Sequence, residues 1–132
     1  MFKQIKVNTK NRVEMIDITS EIKEIVDKSG IDKGIVVLKV PHTTAGITIN
    51  ENADPDVKED IIGQLQKLIP YKNDYQHLEG NSDAHIKSTL VGTDETIIIK
   101  NGHMFLGRWQ GIFFCEFDGP RTRKLNIRCM EG

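Results

Sequence analysis

Two short segments near the start of the chain, FKQIKV and RVEMID, mix apolar and polar positions at the short period of half-buried strands. NTKN between them is turn-forming, so the pair reads as a hairpin. TSEIKEIVDKSG changes the period. Ile22, Ile25 and Val26 make one apolar stripe, Thr19 or Ser20 stands at the N-cap, Glu21 lies near the positive helix end and Gly30 offers a stop. GIVVLKV, residues 34–40, is apolar almost throughout, as in a strand covered on both faces. A turn over Pro41–Thr44 is expected to return the chain along AGITIN. There Ala45, Ile47 and Ile49 share one face and Gly46, Thr48 and Asn50 the other.

Helical spacing resumes after Asp54, a good N-cap followed by Pro55 at the first helical position. Val57, Ile61, Leu65 and Leu68 continue it until Pro70 ends the pattern. In YKNDYQHLEGNSDAHIKSTLVG the period is weaker. Asn81 is placed to cap a short helix carrying Asp83, His85, Ile86 and Leu90, with Gly92 at its end. ETIIIK is a strand, and RWQGIFFCEFDGPRTRKLNIRCM reads as a long strand, a Gly-Pro turn and a last strand paired as a hairpin. Trp109, Phe113 and Phe117 then share a face with Gly111 and Cys115, and Trp109 is expected in the core or a subunit interface. This order of strands with three interspersed helices predicts an α+β fold rather than alternating parallel βαβ units.

The totals narrow the function. At 132 residues the chain reads as a single domain, 1–132, able to bury one core without metal or disulfide staples. With 18 basic against 19 acidic residues it has no field to gather nucleic acid or an anionic membrane. No apolar run approaches the roughly 20 residues that span a bilayer, and no signal-peptide pattern opens the chain, so a cytoplasmic protein is expected. Cys115 and Cys129 fit no zinc or redox spacing, and the register of the terminal hairpin separates them, so both are expected to be reduced.

Candidate chemistry gathers around histidines. His42 in PHTT, His77 in YQHLEG and His85 in GNSDAH each sit among small or hydrogen-bonding residues, and an imidazole can ligate a metal, shuttle a proton or donate to a phosphate oxygen. His77 and His85 can converge if Gly80 turns the chain into the Asn81 helix, whose free N–H groups would favour an anion. Three histidines on separate surface loops is the other reading. Of the acids entering the second helix, Asp54, Asp56 and Glu59 are explained by capping and the helix dipole. Glu51, ahead of the cap, is the candidate to orient a ligating histidine or act as general base. Gln110 is expected to be a buried polar group aimed at a site. Arg121 and Arg123 alternate onto the face of Leu125 and Ile127, where an arginine calls for a carboxylate or phosphate partner.

Together, PHTTAGITINENADPDV, YQHLEGNSDAHIKSTLVG and LGRWQGIFFCEFDGPRTR resemble the YjbQ-like family of secondary thiamine-phosphate synthases, in order and spacing and over essentially the whole chain. The resemblance implies an α+β sandwich of two mainly antiparallel sheets with about three helices, assembled as a homotrimer. It also implies a site around His42, Thr44, Asn50, Glu51, His77, Asn81, His85 and Gln110. The implied reaction joins a hydroxymethylpyrimidine diphosphate to a thiazole phosphate and releases pyrophosphate. His42, Glu51, His77 and His85 would be catalytic; Thr44, Asn50, Asn81, Gln110 and Arg121 would bind the phosphorylated substrate. His42, His77 and His85 would hold a divalent metal, zinc-like by its imidazole ligands or magnesium by the diphosphate chemistry. Two other classes fit the same residues: a trimeric small-anion-binding module without catalysis, and a metal-dependent phosphoester hydrolase.

Overall fold

A computed structural model describes all 132 residues. In chain order the elements are β1 (Phe2–Asn8), β2 (Glu14–Asp17), α1 (Thr19–Lys28), β3 (Gly34–Lys39), β4 (Ala45–Glu51), α2 (Pro55–Leu68), α3 (Ser82–Val91), β5 (Asp94–Lys100), β6 (His103–Met104), β7 (Gln110–Glu116) and β8 (Thr122–Glu131). The strands form a five-stranded sheet ordered β1-β8-β3-β5-β6 and a three-stranded sheet ordered β2-β7-β4. Every strand pair is antiparallel. The fold is the expected α+β sandwich.

The pairing differs from the sequence reading in one systematic way. β1 and β2, β3 and β4, and β7 and β8 each lie in opposite sheets, so none of the three expected returns is a hairpin. Instead β1 pairs with β8 from Phe2↔Arg128 to Asn8↔Thr122, while β7 lies between β2 and β4. A hairpin would keep both strands of a pair in one sheet. Crossing over places Val36, Leu38, Leu125 and Ile127 of one sheet opposite Ala45, Ile47, Ile112 and Phe114 of the other, and all eight are buried in one core.

These three crossings are tied together by one buried polar cluster. Arg123 reaches Glu116 through Nε at 2.8 Å and through Nη2, and its Nη2 also donates to the Thr44 hydroxyl and carbonyl at 2.8 and 3.1 Å. Thr9 donates to the same Glu116 carboxylate at 2.9 Å and accepts from the Arg121 N–H. Thr9, Thr44 and Glu116 thus stand at the β1–β2, β3–β4 and β7–β8 crossings in turn. The expected carboxylate partner of Arg123 is Glu116.

α1 lays Ile22, Ile25 and Val26 into the inter-sheet core, as its stripe predicts, but its start is held differently. Asp17 accepts from both the N–H and the hydroxyl of Thr19, so neither Thr19 nor Ser20 caps. Gly30 follows the helix with φ +74°, a region glycine enters without steric cost. On the far face of the small sheet Met15, Phe113, Cys115 and Phe117 meet Ala84 of α3. α2 adds only the partly buried Ile61, Ile62 and Leu65 there; no residue of α2 is fully buried. Its Asp54 cap is as expected, with the side chain accepting from the Asp56 N–H at 2.9 Å.

β3 is covered on one face, not two. Val36 and Leu38 are buried, whereas Ile35 and Val37 are only partly buried on the outer face, beside Ile98 and Met130, which are 58% and 41% exposed. Cys115 and Cys129 are free and buried in different sheets, and burial pushes the Cys115 thiol up to about 12. No helix is long and apolar enough to cross a membrane.

Candidate functional site

Two of the three histidines meet. His85, one turn into α3, and His77, from the loop before it, approach edge to face with ring centroids 5.5 Å apart and planes at 86°. His77 Nε2 stands 3.8 Å from a Glu79 carboxylate oxygen, and Leu78 between them is 97% exposed. Asn81 occupies the N-cap position without capping through its side chain. Its amide Nδ2 instead donates to Asp118 Oδ2 at 2.9 Å, while its Oδ1 is buried and has no partner. The expected cap is therefore a tether between α3 and the β7–β8 crossing.

His42 stands apart. It lines a depression with Thr44, Arg121 and Arg123, and its Nε2 accepts the Lys124 N–H at 2.9 Å. That bond leaves Nδ1 as the N–H nitrogen of the neutral ring. Burial first, and the Arg123 charge second, hold His42 below the ordinary imidazole value, against the opposing pull of Glu116. With the Nε2 lone pair engaged and no shared surroundings with His77 and His85, His42 does not complete a three-histidine metal site within the chain. No group of three histidine, cysteine or carboxylate ligands gathers anywhere in it. Two imidazoles are what one chain offers, one short of the three protein ligands usual at a catalytic zinc.

The two histidine regions are nonetheless linked. Asp118, which accepts from Asn81, also accepts from Arg121 Nη2 at 3.0 Å, and Arg121 lines the His42 depression. Thr44 is buried and engaged by Arg123. Glu51 accepts the Asp54 N–H at 3.2 Å, steadying the entry to α2 rather than a histidine. Asn50 turns its Oδ1 to the Glu51 N–H and borders a cavity beneath α2. Gln110 is exposed, not buried; its Oε1 accepts the Gly107 N–H at 2.8 Å and staples the loop ahead of β7. Trp109 is 55% exposed rather than in the core, with the Arg108 guanidinium 4.9 Å from its ring centroid.

Sequence reasoning passed over a buried charge cluster behind α3. Lys87 and Asp83 are wholly buried and joined at 2.9 Å, and Arg12 grips the same carboxylate with two bonds of 2.9 and 3.2 Å. Burial works to raise the Asp83 carboxyl, but Arg12 and Lys87 outweigh it and hold it below the usual carboxylate range. The available signal was the i,i+4 placement of Asp83 and Lys87 on a face shared with Ala84 and Ser88, residues small enough to let α3 pack closely.

A two-sheet α+β sandwich with paired imidazoles at the head of one helix defines a class with close relatives. The model of the UPF0047 protein YjbQ-like family matches residues 3–132, and the chain belongs to that family. It is 57% identical to a UPF0047 protein of Methanocaldococcus jannaschii over 97% of this chain and 93% of that relative. With UPF0047 protein YugU of Bacillus subtilis it shares 50% over 98% of this chain and 99% of the relative. A crystal structure of a YjbQ/UPF0047 family protein from Clostridium acetobutylicum superposes with a TM-score of 0.95 at 53% identity, covering 97% of this chain and 99% of that one.

Proposed function

We propose that this protein is a metal-assisted enzyme acting on phosphorylated small molecules, with thiamine phosphate synthesis as the reaction. In that reaction the methylene C–O bond of a hydroxymethylpyrimidine diphosphate breaks and pyrophosphate leaves with the bonding pair. The thiazole nitrogen supplies its lone pair to the new C–N bond. The observation that carries the reading is the His77–His85 pair at the head of α3, linked through Asn81, Asp118 and Arg121 to the His42 depression. Chemistry of this kind requires charge neutralisation at the departing diphosphate.

His77 and His85 would hold the divalent ion, which when bound supplies positive charge against the leaving group. The backbone N–H groups opening α3 favour an anion by the helix dipole. Arg121, half-exposed in its side chain, can turn from Asp118 to a phosphate oxygen. His42 would donate from Nδ1 to a second phosphate oxygen, since Nε2 is already engaged. The reading includes a homotrimer, in which a neighbouring copy covers Leu78 and supplies the donors that one chain lacks.

Incubation with both substrates and zinc or magnesium should yield thiamine phosphate and pyrophosphate in equal amounts. His77→Ala and His85→Ala should each lower the rate at least about 100-fold with unchanged circular dichroism. Full activity after chelation, or release of phosphate that ignores the thiazole phosphate, would refute this assignment; the second result would mark a hydrolase.

A further inference from the structure

We infer that the cavity beneath α2 is a binding site for a small monocarboxylic acid with an apolar body, separate from the histidine pair. The cavity has a volume of about 330 Å³ and lies between the outer face of the small sheet and helices α2 and α3. Met15, Ile61 and Phe117 contribute to its apolar walls, and Thr48, Asn50 and Lys87 bring polar groups to it. A cavity of roughly half that size admits a benzene ring, so this one holds a ring or branched chain plus a head group.

The charge count chooses the head group. Arg12 and Lys87 both pair with Asp83, whose Oδ1 accepts from Arg12 and whose Oδ2 accepts from both cations. Those three groups leave one positive charge in excess, part of which Arg12, a quarter exposed in its side chain, shares with solvent. Beside a wholly buried ammonium such an excess favours an anion in the adjoining space. Lys87 itself has three N–H donors. One goes to Asp83 and one to the Gln66 side chain, which leaves one for an occupant of the cavity that Lys87 lines.

A carboxylate meets both demands. It carries one negative charge and accepts from the ammonium with one oxygen, and the other oxygen can accept from the Thr48 hydroxyl or the Asn50 amide, both on the polar side of β4. A phosphate ester would bring up to two charges and a hydrated head into walls that are mostly hydrocarbon. Cys115 also lines the cavity, but burial keeps its thiol protonated, so it adds apolar wall rather than a nucleophile.

The test is calorimetric titration of the full chain with benzoate, 3-phenylpropanoate and 4-methylpentanoate, each beside its neutral primary amide. At least one acid should bind saturably, at least tenfold tighter than its amide, and in NMR spectra should shift the amide signals of Thr48, Leu65 and Lys87. Lys87→Met, which leaves Asp83 paired with Arg12, should remove that preference. Should Lys87→Met not fold, Ile61→Trp on the shallowly packed α2 fills the same space and should abolish binding. His77→Ala should bind the acid unchanged, so the result is independent of the reaction proposed above. Absence of saturable binding by all three acids, equal affinity for acid and amide, or unchanged binding in a folded Lys87→Met or Ile61→Trp variant would overturn the assignment.

Discussion

Arg123 carries a full charge into the interior, 2% exposed in its side chain, and Glu116 meets it there with none of its side chain exposed. Burial works to raise the Glu116 carboxyl, but hydrogen bonds from Arg123, the Asp118 N–H and Thr9 outweigh it and hold the carboxyl below its usual range. Removing one partner leaves the other charge buried without its counter-ion. Glu116→Ala should therefore cost about 3–5 kcal/mol in urea denaturation, whereas replacing both residues by methionine should recover most of that loss. The pH dependence follows in sign. Glu116 and Asp83 have folded values below their unfolded ones, so their contribution is complete above roughly pH 4–4.5 and is lost as pH falls through the folded values. His42 is also depressed, so its contribution is present above about pH 6.5 and declines on acidification below that. Melting temperature measured from pH 8 to pH 3 should fall in two stages, and the upper stage should be missing in His42→Gln.

Among the elements, α2 is the one whose stability depends most on its own sequence. It has an Asp54 cap and Pro55 at its start but no fully buried residue. Asp54→Ala should cost about 1 kcal/mol. Because little tertiary packing holds α2, hydrogen exchange should quicken in residues 55–68 while amides of the inter-sheet core keep their protection. α2 was also the element most legible from sequence, since cap, proline and spacing are local signals. The pairing of strands was not legible. Alternation tells which residues of β1 and β2, or of β7 and β8, share a face, yet it is identical whether the next strand joins the same sheet or the opposite one. The residues that join the crossings, Arg123, Glu116, Thr9 and Thr44, lie up to 114 positions apart and meet only in three dimensions. Gln110 misled for a similar reason: its place on a strand face was readable, but its position at the strand's exposed first residue was not. The meeting of His77 with His85 was one of two open readings, conditional on a turn at Gly80, and Gly80 does adopt φ +80°. His42 required knowledge of the packing between sheets.

For the molecule as a whole, one broad surface lacks the cover that its composition calls for. Ile35, Val37, Ile98 and Met130 lie side by side on the outer face of the five-stranded sheet, and Phe2 is 56% exposed near its edge. An apolar patch of this kind ordinarily marks an interface. If copies of the chain associate through it, Ile98→Lys should convert the assembled species to monomers in sedimentation velocity, with the secondary structure unchanged. An unaltered sedimentation coefficient would move the association to another surface, such as the one around Leu78.

The pairing of β1 with β8 has a consequence for how the chain is made. β1 has no neighbour other than β8, and β8 also lies against β3, so the large sheet lacks its second strand until residues 122–131 have been synthesised. During translation β1 must wait unpaired until residues 122–131 have left the ribosome. Nascent chains stalled short of residue 122 should remain open to protease, and resistance should appear in a single step once the last strand emerges.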